Sequence, residues 1–150
     1  MPNLEFFLIA ESVSVDQSTN RLSLFNILEE LHAIDIPPNA NLPGGIPQLV
    51  AASSWIIAPD ELGRSFHVNL LLHASDRPEP LNLGTLEFMA ERRRQRALQV
   101  VLGCPVPAPG EIRFEILLDG SHVANHMVSV SRAEIHSSDA ADEISLGGKK

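Results

Sequence analysis

Six histidines and one cysteine are the side chains of this 150-residue chain that could bind a metal ion or act as a nucleophile. His122 and His126 are four residues apart, which would bring them together on a helix but separates them by about 13 Å along a strand. A zinc site needs about four converging ligands, and no acidic residue stands at a helical ligand spacing from them. The spacing therefore predicts solvated or half-buried strand histidines and no metal site.

Cys104 lies between Gly103 and Pro105, just after an apolar run. A reactive thiolate needs a base or a helix N-terminus beside it, and the sequence offers neither, so we predict a small buried side chain. One cysteine cannot form an internal disulfide. The sequence also contains no G-x-S-x-G elbow, and the glycine-rich residues 43–47 lack the lysine and the following helix of a phosphate loop. No cofactor is expected.

Asp16 and Asn20 could suggest calcium, but calcium takes six or more oxygen ligands and one short loop supplies too few. Ordinary turn capping is the better interpretation of these two residues.

The one cluster of charge that could bind a partner is a run of arginines. It consists of Arg92, Arg93, Arg94 and Arg96. The planar fork of arginine fits carboxylates and phosphates, so four of them at a turn could bind an acidic surface. The alternative is a solvated turn, partly neutralised by Glu87 and Glu91.

Apolar residues recur with period two rather than 3.6, which indicates strands. In residues 111–118 the apolar side chains fall on one face and the charged ones on the other. Asp119-Gly120 follows, and such a pair between two apolar runs predicts a tight hairpin into residues 122–132. Residues 4–15 and 21–31 form a second predicted hairpin around the polar turn 16–20. The apolar parity shifts midway along its first strand, which indicates a bulge or a strand covered on both faces.

The middle of the chain contains shorter strands. The proline-rich residues 37–47 are predicted to lie outside any sheet interior because proline cannot donate to a ladder. Residues 49–57 are a central strand with Trp55 as a core anchor, and residues 59–63 form one helical turn. Residues 65–74 alternate again between apolar and polar side chains.

Two further short strands, residues 83–88 and 97–102, flank the arginines. Residues 87–98 could instead form a helix, since Met, Ala, Glu, Arg and Gln favour one. A hairpin is preferred because residues 92–96 offer no apolar stripe. Together these elements predict an all-β, immunoglobulin-like antiparallel β-sandwich of seven to eight strands. We expect one domain over residues 1–136 and a disordered tail over residues 137–150.

Composition and charge restrict the classes of partner. The chain has 11 basic and 19 acidic residues, a net charge of −8. Residues 1–63 alone contain eight acids and one base, so a nucleic-acid partner is not expected. No apolar run approaches ~20 residues, and no basic segment opens the chain, so we expect neither a membrane span nor a signal peptide. The lone cysteine fits a reducing compartment and a cytoplasmic location.

The segment L-E-F-F-L-I-A-E-S-V-S-V-D-Q-S-T-N-R-L-S-L-F-N-I-L-E-E, residues 4–30, resembles a family of short bacterial proteins defined only as a domain of unknown function. The segment P-G-E-I-R-F-E-I-L-L-D-G, residues 109–120, is also similar to that family, and the match between these blocks is loose. The resemblance implies an immunoglobulin-like sandwich of bacterial origin. It implies no activity, ligand or catalytic residue.

Two hypotheses about function follow. The first is a non-catalytic module that binds another protein or itself, in the latter case as a homodimer. It is favoured by the lack of a catalytic grouping and by the uneven charge. The second is an enzyme or small-ligand binder with a site at the loops 37–47 and 103–110, because sandwich domains often bind ligands at their ends.

Overall fold

The computed structural model describes residues 1–32, 45–105 and 109–131. Nine strands form two sheets that pack face to face. The strands are β1 (Asn3–Val15), β2 (Leu22–Ile27), β3 (Glu30–His32), β4 (Gly45–Ile56), β5 (Ser65–Ala74), β6 (Leu81–Met89), β7 (Arg94–Pro105), β8 (Gly110–Leu118) and β9 (Ser121–Ser131). The four-stranded sheet has the order β2-β1-β4-β7, and the five-stranded sheet has the order β3-β9-β8-β5-β6. A short 3-10 helix, Pro59–Glu61, stands where one helical turn was predicted.

The prediction of an all-β, immunoglobulin-like sandwich is confirmed, although the described strands number nine rather than seven to eight. Apolar side chains of the two inner faces fill the space between the sheets, with Trp55 and Phe114 both fully buried in one core. The indole Nε1 of Trp55 donates to Ser53 Oγ at 2.9 Å, so this buried polar group is satisfied. Within the described ranges, no helix is long and apolar enough to cross a membrane.

The hairpin predicted at Asp119-Gly120 joins β8 to β9. Both turn residues have positive φ angles, 48° and 85°, as a tight primed turn requires. The inner positions of β8, from Ile112 to Leu118 at every second residue, are buried, as the alternation predicted. This hairpin anchors the centre of the five-stranded sheet because β8 pairs with β5 on its other side.

β1 changes its pairing partner at Ala10. Its first half pairs with β4 as far as Ala10 and Val50, and its second half pairs with β2 from Ala10 to Val15. The register shifts between Leu4 and Phe6, earlier than the bulge that the sequence suggested. The alternative prediction, a strand covered on both faces, describes the observed arrangement better, because the hairpin bends back over β1.

The bend of this hairpin can be inferred from residues that are neighbours across the four-stranded sheet. Arg96 of β7 is paired with Ser54 of β4, and Ser54 is paired with Phe6 of β1, so the three lie side by side. Val15, the last residue of β1, is nine residues after Phe6, so a straight strand would separate the two by about 30 Å. Asn20 follows Val15 in the chain and would lie at least as far from Phe6. Nevertheless, Arg96 Nη2 donates to the Asn20 carbonyl at 2.7 Å. Residues 11–27, which we name the distal hairpin, therefore fold back across the outer face of the four-stranded sheet.

The end of the N-terminal hairpin departs from prediction. Residues 21–31 were expected to form one returning strand, but β2 ends at Ile27. Asn26 has a φ of 55°, and after it the chain crosses to the five-stranded sheet, where β3 runs parallel to β9. His126 Nε2 contacts the Leu28 carbonyl at 2.5 Å at this crossing. The alternation of apolar and polar residues does not show where a strand leaves one sheet for the other, so this crossing could not be predicted from the sequence.

Residues 37–47 were predicted to lie outside any sheet interior as a loop, and the last three of them belong to a strand instead. β4 begins at Gly45 and includes Pro47, and β4 lies between β1 and β7. The proline is tolerated because β1 pairs with β4 only from Val50 onwards, so Pro47 has no neighbour on that side among the described strands. On the other side, Ile46 and Gln48 pair with β7 but Pro47 does not. The strand is thus locally an edge at Pro47, where a missing N–H has little consequence.

The segment around the arginines forms strands rather than a helix, as preferred, but the strands are not a hairpin. β6 belongs to the five-stranded sheet and β7 to the four-stranded sheet, so the turn between them connects the two sheets. Buried Ala90 lies in this crossing, where its N–H donates to the Arg64 carbonyl at 2.8 Å. The burial of Ala90 and its hydrogen bond to Arg64, 26 residues earlier, fix the start of this crossing, and a local sequence pattern contains no such information.

Candidate functional site

The four arginines lie at the crossing from β6 to β7, at one end of the sandwich. Arg94 Nη2 donates to Glu5 Oε2 of β1 at 2.7 Å, and Ser54 Oγ donates to the other oxygen of that carboxylate at 2.8 Å. The hydrogen bond from Ser54, followed by the contact with Arg94, holds the pKa of Glu5 below its usual range. The neutralising partner is therefore Glu5, and the expectation that Glu87 and Glu91 fill this role is wrong.

Arg96 fixes the distal hairpin. Its guanidinium donates to the backbone carbonyl of Asn20 at 2.7 Å and to the side-chain Oδ1 of the same residue at 3.4 Å. Asp16, at the other end of that turn, accepts hydrogen bonds from the Ser18 hydroxyl and from the amides of Ser18 and Thr19. The capping interpretation is therefore confirmed for Asp16, whereas the Asn20 side chain binds Arg96 instead. The hydrogen bonds from Ser18 and Thr19 hold the pKa of Asp16 below its usual range.

Two clefts border the arginines. One has a volume of about 700 Å³ and is lined by the apolar side chains of β1 and β2 together with Arg94 and Arg96. The other, about 520 Å³, lies among Arg92, Arg94, Arg96 and Asn20. An anion in either cleft would compete with Glu5 or with the Asn20 carbonyl for the guanidinium groups. Of the four arginines, Arg94 and Arg96 are engaged in this way, whereas the side chains of Arg92 and Arg93 make no hydrogen bond or ion pair with the described part of the chain.

The histidines do not converge on a metal. Among the described residues, no group of three or more His, Cys, Asp or Glu side chains could hold an ion. Instead, Glu115 bridges two of them across the outer face of the five-stranded sheet. Its Oε1 is 2.6 Å from His73 Nε2 and its Oε2 is 2.6 Å from His122 Nδ1. Burial raises the pKa of Glu115, but the hydrogen bonds from His73 and His122 outweigh that effect and leave the pKa lowered.

Cys104 is fully buried at the end of β7, as predicted. Burial raises the pKa of its thiol to about 12, so the thiolate is scarcely populated at neutral pH. A nucleophilic role needs the opposite environment, with a cation or a base that lowers the pKa. The side chain is therefore part of the core.

Residues 37–44 and 106–108 of the two loops 37–47 and 103–110, where a ligand site was the alternative hypothesis, lie outside the described residues. The described part of the first loop, Ile46 and Pro47, borders a cleft of about 770 Å³ that also includes Glu11, Asn26 and Leu31. Asn26 Nδ2 donates to Glu11 Oε2 at 3.4 Å in this cleft. Ser12 and Glu30 also line this cleft, but its described lining contains no histidine, lysine or cysteine that could activate the serine hydroxyl, so the arrangement suggests no reaction.

The feature that sequence reasoning missed is the outer edge of the four-stranded sheet. β7 pairs with β4 from Arg94 to Pro105, and no described strand pairs with its other edge. Val100 and Leu102 on this strand are 58% and 73% exposed. Residues 97–102 read A-L-Q-V-V-L, an uncharged and β-prone run, and that run is the signal that could have directed attention to this strand.

Comparison with known proteins gives no family. No protein-family model matches the chain, and no curated protein sequence matches it. Among solved structures, it is similar to an alkylpurine DNA glycosylase from Pseudomonas fluorescens bound to DNA with an abasic site analogue, with 12% identity and a TM-score of 0.45. That match covers 85% of this chain and 30% of the other.

A β-glucosidase from Listeria innocua is similar at 11% identity and a TM-score of 0.44, over 83% of this chain and 16% of that one. An immunoglobulin-like protein from Pseudomonas aeruginosa is similar at 11% identity and a TM-score of 0.39, over 87% of this chain and 97% of that one. The chain thus spans less than a third of the first two proteins. These likenesses give no indication of function.

Proposed function

We propose that this protein is a non-catalytic interaction module that binds a protein partner along the free edge of β7. The observation on which the proposal depends is an uncharged run, residues 97–102, on the open side of a twelve-residue strand. Alternate residues of such a strand direct their N–H and C=O groups away from β4. These groups are available to another strand, and the exposed Val100 and Leu102 supply apolar contact beside them.

The other three sheet edges have features that oppose strand addition. β3 spans only three residues, and β2 is short and ends just after Asn26 in a left-handed conformation. β6 contains one extra residue, Leu83, and Gly84 with a φ of 151°, which disturb the regularity of that edge. Short length and bulges are the usual means by which a protein blunts its edges. β7 has arginines at one end and Pro105 at the other, but its middle has no such protection.

The state of the reactive side chains supports a binding role rather than catalysis. Cys104 is buried with a raised pKa, Arg94 and Arg96 are engaged by Glu5 and Asn20, and Glu115 is occupied by two histidines. We also propose that the protein acts in the cytoplasm, where its single cysteine remains reduced. Arg92 and Arg93, at the start of the β7 edge, would guide an acidic part of the partner into position.

Site-specific photocrosslinking in the host cell tests this proposal. A benzophenone amino acid replaces Leu102 at the β7 edge or, as a matched control, Met127, which is 47% exposed on the outer face of the five-stranded sheet. The proposal predicts a discrete protein adduct from position 102 and none from position 127. Absence of an adduct at position 102, or the same adducts from both positions, would contradict it.

A further inference from the structure

We propose that the strand that pairs with β7 is β7 of a second copy of this chain, running antiparallel to the first. The two four-stranded sheets would then join into one sheet of eight strands about a two-fold axis. This inference depends on the proposed function, since it names the partner for the same edge. A two-fold contact uses the same surface on both copies, so it requires that β7 be complementary to itself.

The register can be derived from the faces of the strand. Directly opposed residues of an antiparallel pair place their side chains on the same face of the sheet, so an outward residue must meet an outward residue. With the axis at Val100, each Val100 lies opposite its copy, and Leu102 lies opposite Leu98. Leu98, Val100 and Leu102 share the outer face, because they are every second residue of β7. Their partners on β4 are Ala52, Val50 and Gln48, which are also every second residue. The exposed apolar side chains are then covered by their own copies.

The charges of β7 select the antiparallel orientation. A parallel pair in register would place Arg94 and Arg96 beside their own copies, and like charges side by side are destabilising. In the antiparallel register centred at Val100, the arginines of each copy instead lie towards the uncharged Gly103 end of the other copy. The matched faces extend over residues 98–102, because Cys104 beyond them is buried in the core. Repulsion between the arginines of the two copies is thereby avoided.

The same orientation brings opposite charges of the two copies towards each other. Ile46 pairs with Cys104 at the far end of β7, and the cleft beside Ile46 includes the carboxylates of Glu11 and Glu30. That end of each copy would stand near Arg92 and Arg93 of the other. Glu11 lies on β1, so β4 and β7 stand between it and β7 of the second copy. Three strand spacings, about 14 Å, therefore separate these charges, and that distance exceeds the screening length of about 8 Å at physiological salt. These charges would therefore contribute little to the affinity.

Sedimentation velocity of the full chain tests the inference, over about 1–100 μM, the range in which weak contacts are populated. Three variants accompany the wild type: Val100→Lys, Val100→Glu and the control Ile27→Lys. Ile27 is an exposed apolar residue on β2, at the opposite edge of the same sheet. Because Val100 is exposed, either substitution should leave the melting temperature close to that of the wild type, and a thermal scan verifies this.

We expect the wild type and Ile27→Lys to reach twice the 16.3 kDa chain mass with rising concentration. Val100→Lys and Val100→Glu should each remain at the monomer mass, because two like charges would meet at the axis. An equimolar mixture of these two variants should return to the dimer mass, because each lysine then faces a glutamate. Recovery in the mixture is specific to a strand that meets its own copy.

A wild type that stays monomeric throughout this range would overturn the inference, as would dimers that persist in both Val100 variants. A mixture that remains monomeric would also overturn it. If the wild type is monomeric but the crosslink at position 102 identifies a different protein, the interaction function stands and only the second copy is rejected. If the crosslink at position 102 yields no adduct, the edge function itself fails.

Discussion

Replacement of Phe114 by alanine tests the arrangement of the core most directly. Phe114 is fully buried at the centre of β8, where it lies between Leu72 of β5 and His126 of β9 in the register. Truncation to alanine removes the ring from the space between the two sheets. Close packing on all sides leaves little room for neighbouring strands to move inward, so a cavity should remain.

The expected loss of stability can be estimated in two ways. A buried phenylalanine removes roughly 150 Å² from water, which at about 25 cal/mol per Å² corresponds to roughly 4 kcal/mol. Measured losses for Phe to Ala in protein cores are about 3–5 kcal/mol, and they include the cost of the cavity. For a domain of this size each kcal/mol lowers the melting temperature by roughly 3–5 °C. We therefore expect the melting temperature to fall by roughly 10–20 °C.

Urea unfolding followed by Trp55 fluorescence measures this loss, because the indole is buried in the same core. Phe25→Ala is the matched control, since Phe25 is 49% exposed on β2 and its truncation should cost less than about 1 kcal/mol. The midpoint should change in Phe114→Ala while the slope with urea stays the same. A loss below about 1 kcal/mol for Phe114→Ala would mean that β8 presents its other face to the core.

Three further outcomes follow from the described contacts. The pKa of Glu115 is lowered in the folded state, so its contribution to stability is present above its unfolded pKa and is lost as pH falls through the folded value. Glu115→Gln should therefore flatten the decline in melting temperature on acidification below about pH 4.5. An unchanged decline would contradict the bridge between Glu115 and the two histidines. Cys104, with a pKa raised to about 12, should resist iodoacetamide at pH 8 until urea unfolds the chain, as mass spectrometry of the intact protein would show. A chelator should leave the melting temperature unchanged, and a fall of more than about 4 °C would indicate a structural metal.

The sequence predicted those parts of the fold that depend on local alternation and turn chemistry. The inner face of β8, the Asp119-Gly120 turn and the central strand containing Trp55 all follow from residue types within a short window. The sheet to which each strand belongs could not be predicted in this way. The chain changes sheets after Asn26 and again at Ala90, and both changes depend on contacts with residues far along the chain.

The candidate site was predicted only in part, for a similar reason. The arginine run was visible in the sequence, but the partner of Arg94 is Glu5, 89 residues away, and the partner of Arg96 is Asn20, 76 residues away. Arg94 reaches Glu5 because β1 and β7 lie on either side of β4, and Arg96 reaches Asn20 because the distal hairpin bends back over the four-stranded sheet. Two of the four arginines thus hold the fold, and charge counting in the sequence overestimated the positive charge available to a partner.

This internal neutralisation bears on which force would drive association at β7. If the arginines supplied most of the affinity, the dimer would weaken steeply with salt, but Arg94 and Arg96 are already engaged within the chain. The remaining contributions are main-chain hydrogen bonds along residues 97–102 and the burial of Val100 and Leu102, which salt does not screen. We therefore expect the dissociation constant to change little between low and physiological salt. A dissociation constant that rises steeply with salt would show that charge, rather than the apolar edge, holds the two copies together.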